Sequence, residues 1–197
     1  MKDVHIILAS ASPRRKQLLE QLGWKFEIVA PRVDESILPK ETPSQLVTRL
    51  ARLKGEAVAA ANPCSLVIAS DTVVASEDDE IFGKPKDQGD AVRMLGELAG
   101  KTHHVFSGLA LFWNGQRVEG CSKTCVVFRE LNDDDIDAYA ASGEWRGKAG
   151  GYAIQGLGAL LIERISGDYS TVVGLPLALL GQMMGQLGFS LGQMWEA

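Results

Sequence analysis

Val4-His5-Ile6-Ile7-Leu8-Ala9-Ser10-Ala11-Ser12-Pro13-Arg14-Arg15 is the stretch on which the reading of the fold turns. A short apolar strand runs into small hydroxyl residues, then a proline, then two arginines that open a helix. Ser12 suits the N-cap, Pro13 the first helical position, and Leu18, Leu19 and Leu22 supply an apolar face before Gly23. Two cations in the first turn nevertheless oppose the helix macrodipole, which favours negative charge there. A polyanionic ligand held by free backbone N–H groups, the Ser10 and Ser12 hydroxyls and the forks of Arg14 and Arg15 would resolve that conflict. Two solvated arginines on a surface helix are the bland alternative. Strand, hydroxyls, cap and arginines within one turn favour phosphate.

Outward from this stretch, strand-like runs alternate with helical ones, which places the chain in the α/β class. A second strand is predicted at 26–29, then an acidic loop at 31–39 containing Asp34 and Glu35. A long helix follows at about 43–61, with Ser44, Leu46, Val47, Leu50 and Leu53 in helical rhythm. Leu66-Val67-Ile68-Ala69 opens a buried strand that resumes at Val73-Val74 after three polar residues. Asp87 caps a helix through Leu98, with Asp90 in the reciprocal capping position and Gly100 at its end. Runs at 104–113 and 117–128 flank Asn114-Gly115, a strong hairpin signal. Asn132 caps a helix whose first turn carries Asp133, Asp134 and Asp135, as the dipole prefers. Further strands are read at 152–154, 159–165 and 170–173, and an apolar helix at 175–187 in which Met183 and Met184 fill the core. The predicted architecture is an elongated central mixed sheet flanked by helices, one domain over 1–197 with a cleft between two lobes.

Bulk composition narrows the function classes. With 197 residues, 46% apolar and 23% charged, the chain can bury a sizeable core. A net charge of −5 argues against nucleic acid as a partner, so any anion site is a local basic pocket in an acidic protein. No run of about 20 apolar residues is available for a membrane span. Met1-Lys2-Asp3 leads straight into a strand with no export leader. Cys64, Cys121 and Cys125 are odd in number and match no metal spacing; Cys121 and Cys125 would share one strand face as packed free thiols. These features together predict a reduced, cytoplasmic protein.

Asp71 is the second anchor. It interrupts Val67-Ile68-Ala69-Ser70-Asp71-Thr72-Val73-Val74, where a carboxylate is costly to bury unless it is paired or bound to a metal. The expectation is a strand-end carboxylate facing a cleft, which with Glu35 would suit a hard divalent cation such as Mg²⁺ that shares phosphate oxygens with its substrate. Lys84 lies in the constrained turn Phe82-Gly83-Lys84-Pro85, Lys54 near the end of the long helix, and Lys148 opens Lys148-Ala149-Gly150-Gly151-Tyr152-Ala153-Ile154-Gln155-Gly156. Each lysine alone reads as a solvated surface residue. The last segment is harder to dismiss, because its glycines permit close backbone approach and Gln155 brings a two-sided amide into an apolar stretch. Its spacing matches neither the P-loop nor the dinucleotide fingerprint. His103 and His104 are adjacent and would point to opposite strand faces, so they read as structural rather than chelating.

Taken together these pieces resemble the Maf-like nucleoside triphosphate pyrophosphatases, over nearly the whole chain. The resemblance is carried by Ser10-Ala11-Ser12-Pro13-Arg14-Arg15, Glu35, Lys54, Ser70-Asp71-Thr72-Val73, Gly83-Lys84-Pro85, Thr102-His103, Ser107-Gly108 and the segment from Lys148 to Gly156. It implies a fold related to inosine triphosphate pyrophosphatases, a homodimer, and cleavage of nucleoside triphosphates to monophosphate and pyrophosphate with a divalent metal, Mg²⁺ or Mn²⁺. It further implies Asp71 as general base toward the attacking water, and Arg14, Thr72 and Gln155 as residues of substrate choice. Ser10, Glu35, Lys54 and Lys84 match polar positions around the phosphates and metal. The Lys148–Gln155 segment is similar to the branch acting on dTTP and UTP, and the Gln155 amide can both donate to and accept from the imide edge of either base. Ser107 stands where a threonine is common, and Ala11 where glycine is; both keep size and polarity. The rival expectations are the 7-methyl-GTP branch, an ordinary phosphatase, and a nucleotide-binding regulatory protein that restrains septum formation and cell division with hydrolysis incidental.

Overall fold

The structure is a computed structural model that describes residues 4–195; the predicted run-in at Met1-Lys2-Asp3 lies outside them. Strands β1 (Ile6–Leu8), β2 (Phe26–Ile28), β3 (Leu66–Ser76), β4 (Ile81–Phe82), β5 (Thr102–Trp113), β6 (Gln116–Phe128) and β7 (Ile162–Ser166) form one mixed sheet. Its order is β2-β1-β3-β5-β6-β7, with β4 paired to β3. β1 runs parallel to β2 and β3, and the remaining ladders are antiparallel.

The pairing of β3 positions everything that follows. One edge is covered by β5 from Val67 to Ser76. The opposite edge pairs with β1 at Leu66–Ile68 and with β4 at Val74 and Ala75. Between those two short ladders the edge has no strand partner among the described residues, and Ser70, Asp71 and Thr72 lie there. β3 is buried on both faces, which is why its sequence reads as a nearly unbroken apolar run. Asp71 is therefore a mid-strand residue and not the strand-end residue predicted: the backbone keeps its ladder to β5 through all three polar positions.

Helices α1 (Pro13–Gln21), α2 (Pro43–Ala59), α3 (Gln88–Leu98), α4 (Asp133–Ser142), α5 (Tyr169–Val173), α6 (Leu177–Gln186) and α7 (Leu191–Trp195) cover the sheet. Among the described residues none is long and apolar enough to cross a membrane. α2 opens on a reciprocal capping box between Thr42 and Gln45. It lays Leu46, Val47 and Leu50 on the sheet, against Val73, Ala75 and Phe106. Asp87 caps α3 by accepting from Asp90 N–H at 2.8 Å, while the Asp90 carboxylate reaches past the cap to Lys86 N–H. Asn132 accepts from Asp135 N–H at 2.8 Å, as predicted for α4. Ser12 occupies the α1 N-cap without a side-chain cap bond. The β5–β6 turn places both Asn114 and Gly115 at positive φ, 49° and 76°, the twist that a two-residue hairpin demands.

Two strand predictions fail and a third holds only in its second half, each for a local reason. The β-branched run at 170–173 is helical, because the Asp168 carboxylate accepts from Ser170 N–H at 2.8 Å and starts a turn that Gly174 (φ 124°) closes. Tyr152 to Ile154 is extended or bent without a ladder partner, following a 3₁₀ turn at Ala149–Gly151. Within 159–165, a second 3₁₀ turn at Gly156–Leu161 takes the first half, and β7 begins only at Ile162. The helix read at 175–187 is shorter than predicted, since Pro176 occupies its N-cap, and α7 follows it at the end of the described residues.

Gly108 marks where α2 meets the sheet. A Cβ there would sit 2.1 Å from the Val47 carbonyl oxygen and 2.3 Å from its carbon, both backbone atoms that cannot rotate away. Gly108→Ala is expected to destabilise the protein by about 3 kcal/mol, the upper range for overpacking, and to displace α2. Chemical denaturation checks this: an unchanged midpoint would mean that α2 slides freely over β5.

Candidate active site

The cleft opens where β1 ends and β3 continues past it, paired with β5 alone. Its volume is about 690 Å³, and its lining includes Ser10, Ser12, Arg14, Arg15, Glu35, Lys54, Asp71, Thr72, Lys84, Lys148 and Gln155. Every candidate binding, metal or catalytic residue named from the sequence thus borders one space. The walls also include Val74 and Tyr152 from one apolar cluster, and Val173 and Ile154 from or against another.

Side chains alternate across a strand, so Asp71 and Thr72 face opposite sides of β3. Asp71 turns toward α2, where Lys54 lies on the same helical stripe as Leu46, Leu50 and Val58. Lys54 is only 8% exposed, which corrects its reading as a solvated lysine. Its Nζ donates to Asp71 Oδ1 at 2.6 Å and meets Glu35 Oε1 at 2.7 Å, so one ammonium joins both carboxylates. Burial opposes ionisation of Glu35, yet the Lys54 hydrogen bond, with the charges of Lys54, Lys84 and Arg15, outweighs it and holds the carboxyl below its ordinary value.

Thr72 belongs to a second network on the other face. Its hydroxyl is hydrogen-bonded to Ser107 Oγ at 2.8 Å and accepts from Arg15 Nη2 at 3.1 Å. Arg15 also donates through Nε to the Gly174 carbonyl at 2.8 Å and through Nη1 to Ser10 Oγ at 3.1 Å. Ser10, 5% exposed, accepts from Ser12 N–H as well, at 3.1 Å. Arg15 and Ser10 are thereby committed largely to the protein. Arg15 contributes field beside Asp71 more than a free fork, and burial lowers its pKa against the pull of that carboxylate.

Arg14 is the complementary case: among the described residues its guanidinium makes no hydrogen bond to protein, and it borders the same cleft. Burial lowers its pKa, without bringing an arginine near deprotonation. Lys84 is exposed at the mouth. Gly150 N–H donates to the Gly83 carbonyl at 3.0 Å, which joins the Lys84 turn to the segment beginning at Lys148. Lys148 donates to the carbonyls of Glu144 and Arg146, and burial together with the neighbouring Arg14 pushes its pKa down. Gln155 lies partly exposed on the wall, its amide without a protein partner among the described residues.

Three contributors escaped the sequence reading. Arg146 adds a cation to the lining, Glu144 accepts from Gly158 N–H at 3.3 Å, and the Gly174 carbonyl gathers Arg15, Ser70 and Thr72. Arg146 and Glu144 flank Trp145 in an unremarkable polar turn, and a backbone carbonyl leaves no mark in sequence. His103 and His104 do face opposite ways, and each keeps a buried Nδ1 without a partner among the described residues.

Glu35 and Asp71 present hard oxygens at one point of a cleft lined with cations, a donor set that fits a magnesium-like ion. No group of three or more His, Cys, Asp or Glu among the described residues could hold a metal. A cation at the pair would therefore draw its other ligands from phosphate and water, as Mg²⁺ commonly does.

A family model described as Maf-like protein matches residues 5–187. A relative from Symbiobacterium thermophilum named dTTP/UTP pyrophosphatase is 44% identical over 184 residues, 93% of this chain and 94% of its own. A Bacillus cereus (strain AH820) protein of the same name is 45% identical over 181 residues, 92% of this chain and 94% of its own. Among solved structures, the Staphylococcus aureus Ham1 protein covers 92% of this chain and 90% of its own, at 17% identity and a TM-score of 0.47. On the span of the family match and the identity of these relatives, this chain belongs to the Maf-like protein family.

Proposed function

We infer that this protein is a pyrophosphatase that hydrolyses dTTP and UTP to the monophosphate and pyrophosphate. The observation that carries the chemistry is the Lys54 ammonium joining Asp71 and Glu35 inside a cleft bordered by Arg14, Lys84 and Lys148. The relatives' shared name supports the substrates.

A triphosphate would lie along the cationic side, with Arg14 and Lys84 as its mobile donors and the charge of Arg15 behind. Asp71 would take a proton from the attacking water as the α–β anhydride breaks and pyrophosphate leaves with the bonding electrons. Lys54 would hold Asp71 oriented for that transfer. Glu35 and Asp71 would hold Mg²⁺ or Mn²⁺ through the oxygens that Lys54 leaves free. Such an ion, when bound, neutralises phosphate charge and orients the leaving group. Gln155 would meet the imide edge of thymine or uracil, donating and accepting with one amide.

Phosphorus NMR on dTTP, UTP, CTP, 7-methyl-GTP and ATP, with Mg²⁺ or Mn²⁺, tests the reading. Monophosphate plus pyrophosphate from dTTP and UTP is the expected result. Orthophosphate as the first product would overturn the chemistry, and turnover confined to 7-methyl-GTP would overturn the role of Gln155. Nucleotide binding without turnover would favour a regulatory role instead.

A further inference from the structure

The segment that carries Gln155 to the cleft has no strand ladder to hold it. From Lys148 to Gly158 it passes through left-handed glycines at Gly150, Gly151 and Gly156, with φ of 69°, 73° and 71°. Two specific ties flank the approach to Gln155. Ala153 N–H, two residues before it, donates to the phenol oxygen of Tyr139 at 3.2 Å. The Tyr152 hydroxyl is hydrogen-bonded to His103 Nε2 at 2.8 Å within β5.

Neither partner is part of the cleft lining, so neither has substrate to meet. Tyr139 sits on the inner face of α4 at 5% exposure. The segment folds tightly around its phenol: a Cβ on Gly158 would lie 2.0 Å from the Ala153 carbonyl oxygen and 3.0 Å from the Tyr139 hydroxyl. His103 has no exposed surface, and its ring stands edge-on to Phe128 and Tyr152 at 4.9 and 5.4 Å. Burial, reinforced by the neighbouring His104, pushes its pKa down to about 3, so the ring is neutral in use. The fold retains this imidazole although its Nδ1 has no partner among the described residues, a cost that an apolar side chain would avoid. What the imidazole supplies in return is the tie to Tyr152.

We propose that Tyr139 and His103 are positioning residues for base selection, setting where Gln155 stands through Ala153 N–H and the Tyr152 hydroxyl. The proposal rests on the reading of Gln155 as the partner of the pyrimidine edge. Loss of either tie leaves Asp71 and Lys54 in place, since those are held by β3 and α2. It frees only the segment that reads the base, so binding and selectivity change while the chemical step persists.

The test compares Tyr139→Phe and His103→Phe, with Gln155→Ala alongside, by kcat and KM for dTTP, UTP and CTP and by melting temperature. Tyr139→Phe is expected to raise KM for dTTP and UTP about three- to tenfold, the scale of one lost hydrogen bond. Its kcat stays within about twofold, and its preference for dTTP over CTP narrows by a similar about three- to tenfold factor. His103→Phe, which keeps a flat ring against Phe128, produces the same split through the other tie, and carries the test if Tyr139→Phe does not fold. A lowered melting temperature with KM and base preference unchanged in the folded variants overturns the proposal, because a merely structural bond behaves that way. If Gln155→Ala itself keeps wild-type selectivity, the recognition reading is wrong and the proposal falls with it. If only Gln155→Ala loses selectivity, recognition by Gln155 stands and the positioning role alone fails.

Discussion

Asp71→Asn is expected to lower kcat for dTTP by about 10²–10⁴-fold, the usual contribution of a positioned general base. The amide matches the carboxylate in shape and can still accept from Lys54, but it cannot take up a proton from water. The neighbourhood survives the change. Lys54 keeps its 2.7 Å contact with Glu35, and the β3 ladder to β5 runs through residue 71 by backbone alone. Melting temperature should therefore move little while turnover collapses, and steady-state pyrophosphate release beside thermal unfolding separates the two effects. Near-normal turnover in a folded Asp71→Asn protein would falsify the assignment of Asp71 as the base.

Lys54→Met is expected to be nearly as damaging for a different reason. Methionine fits the apolar stripe of α2, so packing is kept while the one ammonium between Asp71 and Glu35 disappears. Two carboxylates then face each other without the ammonium that joined them, and one of them gains affinity for a proton even with Arg15 and Lys84 nearby. Removing a preorganised group that stabilises the reacting charge costs about 10²–10³ in kcat. The sign of the pH effect follows from Glu35. In the native protein Lys54 helps to hold its pKa below the ordinary value, so Glu35 stays ionised to lower pH than a free glutamate. Without Lys54 the largest part of that depression goes, only the charges of Lys84 and Arg15 remain, and the acid limb of the kcat/KM profile moves to higher pH. The same loss removes the stability that an ionised Glu35 contributes above its unfolded pKa. A profile measured from pH 4 to 9 decides the matter: an unshifted acid limb would mean that Lys54 acts on the phosphates and not on the acids.

Particular residues show what could be read without coordinates. Asn114-Gly115 specifies its own turn, because both positions need positive φ and those residue types accept it. The caps at Thr42, Asp87 and Asn132 are equally local, each a side chain accepting from an N–H three residues on. Strand propensity misleads at Thr171, Val172 and Val173, where one Asp168 carboxylate outweighs three β-branched side chains. Lys54 is a subtler case. Its place on the apolar stripe with Leu46 and Leu50 was legible, but its burial depends on Asp71 lying opposite, and nothing local ties residue 54 to residue 71.

The amino-acid sequence by itself determined the α/β class, most helix starts, the central hairpin, and the set of polar residues that do not fit an ordinary core or surface. These depend on contacts within a few residues, where spacing dictates geometry. Only the tertiary structure decided which of those polar residues are committed to the protein and which stay available. Arg14 and Arg15 are neighbours in the first turn of α1, yet Arg15 is bound to Gly174, 159 positions away, while Arg14 borders the cleft. The physical reason is the interrupted edge of β3. β1 and β4 cover its two ends and leave Asp71 and Thr72 open between them, and only the folded sheet brings α2, the Gly174 turn and the Gln155 segment to that gap.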